Sequence, residues 1–115
     1  MTVIRALGKE NAIFHVHAKD VRIDNNNTRL NGVLDTKSYA DEINRSWIFR
    51  SCGYGNDTLY WNDIISNLRM IGYDYVMCIE HEDSLMSLDE GLEKAVSCMK
   101  QSIIREPKLT NARWI

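Results

Sequence analysis

Val76-Met77-Cys78-Ile79-Glu80-His81-Glu82-Asp83 is a short apolar run that stops in a cluster of acidic and imidazole side chains. An earlier run, Ile13-Phe14-His15-Val16-His17-Ala18-Lys19-Asp20, stops in the same way. A helical pattern precedes the second run. α/β enzymes present their reactive groups in this manner, at the carboxyl ends of parallel strands with loops above them. The pair of runs therefore predicts an architecture and a chemistry together: a divalent cation held by imidazole and carboxylate.

Outward from these runs the chain divides into few elements. Residues 1–8 read as the end of a helix, with Val3, Ile4 and Leu7 on one face and Gly8 as its stop. Residues 12–18 read as a strand, with Ile13, His15 and His17 on one side and Phe14, Val16 and Ala18 on the other. Apolar residues on both sides fit a parallel strand covered on both faces. No period is evident from Lys19 to about Arg50, a polar stretch with turn-formers at 24–27 and at Asn31-Gly32. Trp47, Ile48 and Phe49 require packing at its end, and Cys52-Gly53-Tyr54-Gly55 reads as a tight turn.

Asp57 or Thr58 can cap a helix in which Trp61, Ile64, Ile65, Leu68 and Ile71 recur at helical spacing, with Gly72 as its end. Residues 74–80 form the second strand, with Val76, Cys78 and Glu80 on one face and Tyr75, Met77 and Ile79 on the other. Ser87-Leu88-Asp89-Glu90 matches a capping box. The helix it opens carries an apolar stripe of Leu88, Leu92, Ala95, Val96, Met99 and Ile103, and stops before Pro107. Trp114 points to a docking contact in the tail.

The order is a β-α-β-α unit, which pairs its strands in parallel. Two parallel strands with apolar faces on both sides cannot be covered by two and a half helices, and each would keep an unpaired edge. We therefore expect residues 1–115, one domain at most, to be a piece of a larger α/β sheet or barrel, or to assemble with another chain.

The formal net charge of −2 gives no general attraction to nucleic acid or anionic membranes, so neither is expected as a partner. No apolar run approaches a membrane span and the start lacks the apolar core of a signal peptide, which makes the cytoplasm the expected compartment. Three widely spaced cysteines, Cys52, Cys78 and Cys98, form no metal or disulfide pattern and are expected as buried reduced thiols.

Among the chemical candidates, His17 ends the first strand on the face of His15, and Glu80 ends the second. Imidazole and carboxylate together suit a divalent ion, and a strand-end carboxylate is costly to bury without a cation. His15, one step deeper, can support a ligand from behind. Lys19 can hold an anionic or enolate oxygen, and Asp20 can orient a ligand histidine. Arg50 precedes a Gly53-Tyr54-Gly55 turn whose amides could reach a phosphate. Glu82 and Asp83 are expected in capping or solvated roles.

The motifs IFHVHAKD, RLNGVLD, RSWIFRSCGYG, LRMIGYDYVMCIEHEDSLMS and EGLEKAV together resemble the C-terminal part of the sugar phosphate isomerase/epimerase family, the xylose isomerase-like TIM barrels. The resemblance covers nearly the whole chain. It implies an α/β fold, the C-terminal portion of a (β/α)8 barrel, in which 15–20 close strand seven and 76–80 form strand eight. Cys52 departs from the proline that related loops often carry there. The resemblance further implies one divalent metal (Mn, Mg, Zn or Co) held by four strands, with His17 and Glu80 as two of its ligands. The first two carboxylate ligands belong to strands that this chain lacks, so a missing N-terminal barrel portion or an oligomer is expected to supply them.

The activity implied is sugar or sugar phosphate isomerisation or epimerisation by proton transfer next to a carbonyl, through an enediolate, with Glu80 as a catalytic carboxylate and Lys19 and Arg50 binding substrate. The isolated chain, holding half a metal cage, is expected to be inactive. An inosose dehydratase-like lyase is an alternative on the same barrel, as is an inactive fragment or subunit that completes a barrel with another polypeptide. Endonuclease IV-like DNA repair is disfavoured by the charge.

Overall fold

The computed structural model describes residues 1–109, so the docking contact expected of Trp114 lies outside the described residues. Among the described residues, four helices and two two-stranded sheets make up this α/β unit. Strand β1 (Val16–Ala18) pairs in parallel with β4 (Met77–Ile79), in a register that sets Val16 beside Met77, His17 beside Cys78 and Ala18 beside Ile79. The amide of Glu80 continues the ladder onto Ala18 O at 3.0 Å. Both runs are thus strands and are parallel, although each is shorter than its apolar stretch.

One face of this sheet is covered. Helices α3 (Thr58–Met70) and α4 (Leu88–Ser102) pack there, joining Ala18, Trp61, Ala95, Met99 and Cys52 into a core that Met77 and Ile79 approach. Asp57 caps α3 by accepting from Tyr60 N at 3.0 Å, satisfying an amide that the helix cannot. Gly72, at φ +79°, reverses the chain so that Tyr73 N–H reaches Leu68 O. Ser87 caps α4 through Glu90 N at 3.2 Å.

The buried line of α4 differs from the expected stripe. Gly91, Ala95, Met99 and Ser102 face inward, whereas Leu88 is 75% and Leu92 47% exposed. Small residues let the helix approach closely, which leaves Leu88 in the uncovered first turn and Leu92 on the flank.

Helix α1 (Thr2–Lys9) lies against α3, where Arg5 Nε donates to Asn67 Oδ1. Gly8 is inside this helix and is not its stop. A Cβ there would lie 2.5 Å from the Ile71 side chain, so the glycine serves close packing. Asn11, at φ +50°, turns the chain instead.

The stretch from Lys19 to Arg50 is more ordered than its composition announces. Strand β2 (Asp20–Ile23) pairs antiparallel with β3 (Trp47–Arg50), and α2 (Asn25–Asn31), capped by Asp24, lies between them. Val21 sits opposite Phe49 and Ile23 opposite Trp47, which gives the ribbon one apolar face. Asp35, almost wholly buried, accepts from Ser46 N at 2.8 Å and Lys37 N at 3.0 Å and so anchors the long connection.

The cysteines are not uniformly buried. Cys52 is buried, Cys98 is partly so, and Cys78 is exposed. Cys78 shares with His17 the face of the β1–β4 sheet that no described helix covers, which accounts for its exposure.

Candidate functional site

Parallel register brings the two strand ends together. His17 Nδ1 lies 3.3 Å from Glu80 Oε2, and Lys19 Nζ donates to Glu80 Oε1 at 2.7 Å and to Glu82 Oε1 at 3.3 Å. The His15 and His17 rings meet edge to face, with centroids 4.8 Å apart. His17, Glu80 and Glu82 are open to solvent, while Lys19 is about a quarter exposed. Hydrogen bonds from Lys19 and then His17 hold the Glu80 carboxyl below its ordinary range. The same bond to Glu80, reinforced by Glu82, holds the Lys19 ammonium above its own. Glu80 is therefore a carboxylate and Lys19 a cation at neutral pH.

The donor pair fits a divalent ion in chemistry and spacing. An imidazole nitrogen and a carboxylate oxygen 3.3 Å apart can span one edge of a coordination shell with bonds of about 2.1 Å. Among the described residues no third His, Cys, Asp or Glu completes a cluster.

Asp20 and Arg50 are placed elsewhere than expected. The Asp20 carboxylate, 1% exposed, makes no hydrogen bond to either strand histidine among the described residues. It accepts instead from Gly53 N at 2.9 Å, Gly55 N at 3.1 Å, Asn56 N at 3.1 Å, Asn56 Nδ2 at 2.6 Å and Trp61 Nε1 at 3.3 Å. The Gly53–Gly55 turn therefore wraps its amides around a carboxylate of its own chain. Arg50 donates through Nε to Asp83 Oδ2 at 2.9 Å, its side chain 14% exposed and that of Asp83 fully buried.

Asp83 is thus neither a cap nor solvated, and Glu82 is a partner of Lys19. Burial pushes the Asp83 carboxyl up, but hydrogen bonds from Ser51 N, Arg50 and Leu85 N, with the Arg50 charge, bring it below its ordinary range. Asp20 and Asp83 together staple the loop from Arg50 to Asn56 onto the ends of β1 and β4. Sequence reasoning missed this because the partners lie some thirty residues apart with no periodic signal.

Beside the strand ends stands an aromatic group. Tyr39 and Phe49 lie nearly parallel, 18° apart with centroids at 5.7 Å, and Trp47 meets both edge on. The Lys19 ammonium sits 4.2 Å from the Phe49 ring centroid. Alternation along β3 puts Trp47 and Phe49 on one face, a signal that was readable once 47–50 was seen as a strand.

No protein-family model matches the chain. It is similar to the uncharacterized protein YfiH of Bacillus subtilis (strain 168), with 39% identity over 101 residues. The match takes in 88% of this chain and 32% of that protein, so the chain spans about a third of the length of the relative.

Proposed function

We propose that the chain is the strand-seven and strand-eight portion of a xylose isomerase-like barrel and supplies half of the divalent-metal site of a sugar or sugar phosphate isomerase or epimerase. The observation that carries this reading is the meeting of His17 and Glu80, 3.3 Å apart, at the carboxyl ends of neighbouring parallel strands. Barrel enzymes put their ligands at that level.

The uncovered sheet face supports the same reading. Among the described residues β1 and β4 have only each other as strand partners, and Val76 and Cys78 stand exposed beside His17. Further strands on either side would satisfy the free edges and bury that face. They could come from one longer polypeptide or from a second one; the length of the B. subtilis relative fits the former.

In the proposed site His17 and Glu80 would hold the ion, which when bound supplies polarisation of a sugar carbonyl. Glu80, kept ionised by Lys19, is the group able to accept a proton from the neighbouring carbon. Lys19 holds Glu80 Oε1 and limits its rotation, so the Oε2 lone pairs stay turned toward His17.

The test is proton exchange. A chimera in which this chain replaces the matching stretch of YfiH, incubated with aldoses and ketoses in heavy water, is expected to introduce deuterium next to the carbonyl. Glu80→Gln is expected to abolish it. Exchange that persists undiminished in Glu80→Gln contradicts the assignment.

A further inference from the structure

We propose that the segment from β2 to β3, residues 20–50, is a self-pairing arm through which two copies of the chain join. The arm is distinct from the strand-end metal site, and its pairing does not depend on that reading.

A single groove runs over the apolar face of the ribbon. Helix α2 is tied along residues 43–46 by Asn27 Nδ2, which donates to Ile43 O at 2.7 Å and to Arg45 O at 3.0 Å. The Thr28 hydroxyl adds a bond to Ser46 O at 3.3 Å. Gly32, at φ +75°, then turns the chain so that Val33 closes the groove. Val21, Ile23, Val33, Trp47 and Phe49 supply its walls, with Thr28 and Ser46 as the polar remainder, around about 380 Å³. Lys19 and Arg45, whose cations lie over Phe49 and Trp47, do not line it. An apolar cavity of about 150 Å³ holds a benzene-sized group, so the groove has room for two aliphatic side chains.

The same arm carries apolar side chains that project. Leu30 is 83%, Leu34 89% and Ile43 88% exposed, while Ile23 and Val33 at the groove are 55% and 62% exposed. Together these five leave open on the order of 500 Å² of apolar surface. A standard interface takes about 800 Å² per partner, somewhat over half of it apolar. Charge is sparse here as well. From Asn25 to Thr36 only Arg29 is an exposed charged residue, since Asp35 is buried. Depletion of charge marks the core of an interface.

A second copy is the occupant these features select. One surface holds both the groove and the projecting side chains, as a two-fold pairing requires, each copy giving Leu34 and Ile43 and receiving its partner's. The flanking charges have both signs, Arg22 and Arg29 against Asp24, Asp41 and Glu42, with Lys37 held by Asp35. A copy of the same surface therefore meets opposite charges as well as like ones. The rest of a barrel is a poorer fit. Further strands would extend the β1–β4 sheet, whereas the groove lies on the β2–β3 ribbon, a separate sheet.

The experiment is sedimentation velocity across micromolar concentrations, on the 115-residue chain and on the YfiH chimera. A dimer is expected in both. Leu34→Glu and Ile43→Glu, at exposed positions, are each expected to weaken it about tenfold with an unchanged circular dichroism spectrum. Val76→Glu, on the open face of the β1–β4 sheet, is expected to leave it intact. In a dimer mixed from labelled and unlabelled copies, nuclear Overhauser contacts are expected between the Leu34 methyls of one copy and the Trp47 indole of the other.

Monomers throughout overturn the inference. So does a dimer that yields to Val76→Glu and ignores both arm variants. A chimera that stays monomeric while the 115-residue chain pairs means that the rest of the barrel covers the groove, and overturns it too. Each of these outcomes leaves the metal-site reading standing.

Discussion

Arg50 and Asp83 form a buried ion pair 2.9 Å apart that ties the end of β3 to the loop after β4. Asp83 also accepts from Ser51 N at 2.7 Å and Leu85 N at 2.9 Å. Removing this carboxylate would leave a guanidinium and two amides unpaired. Asp83→Ala is therefore expected to lower the unfolding free energy by about 3 kcal/mol, read by urea denaturation. A loss below about 1 kcal/mol would show that the pair is dispensable.

The turn around Asp20 yields a local prediction. A Cβ on Gly55 would lie 2.6 Å from Asp20 Oδ1 and from the Val21 backbone, so Gly55→Ala must displace the loop. The expected cost is about 2 kcal/mol. Asp20→Asn should speed amide exchange at Gly53, Gly55 and Asn56 while the interior of α3 keeps its protection. Uniform loss of protection across the chain would contradict a local role.

Acid should weaken the fold through Asp35 among others. Hydrogen bonds from Lys37 N and Ser46 N, with help from the Lys37 ammonium, hold its carboxyl far below the ordinary range. A carboxyl depressed in the folded state contributes stability above the unfolded pKa, about 3.9, and loses it as pH falls through the folded value. Stability measured from pH 6 down to pH 3 is expected to fall most steeply below about pH 4. Asp35→Asn should be weaker at neutral pH and show a shallower acid slope. An unchanged slope would remove Asp35 from this account.

The thiols should react in order of exposure. Cys78 is open to solvent, whereas burial, with the nearby Asp20 charge, pushes the Cys52 thiol up to about 12. One thiol should modify rapidly in the native protein, and Cys78→Ser should abolish that phase. Rapid reaction surviving in Cys78→Ser would mean that the helix-covered side opens readily.

Much of the framework was legible in the chain itself. Asp57 or Thr58 announced the start of α3, where Asp57 proves to be the cap, Ser87 announced that of α4, and Gly72 the stop of α3, because caps are local chemistry. Parallel pairing followed from apolar residues on both faces of two separated runs. The β2–β3 ribbon was not legible. Its strands are four residues long and lie 23 residues apart, with a polar, asparagine-rich helix between them. Strand parity pointed to His17 and Glu80 together, and their contact agrees with it. The same reasoning could not see that Asp20 faces the Gly53–Gly55 turn, since that choice depends on which amides the fold leaves unpaired.

Metal binding tests the central claim most directly. Equilibrium dialysis of the YfiH chimera against Mn, Zn, Co and Mg, with His17→Ala and Glu80→Gln beside it, measures whether the two strand ends share an ion. The account predicts about one equivalent bound by the parent and a loss of at least tenfold in affinity in each variant, consistent with removal of a direct ligand. Undiminished occupancy in both variants, or no metal bound by the parent, would contradict it.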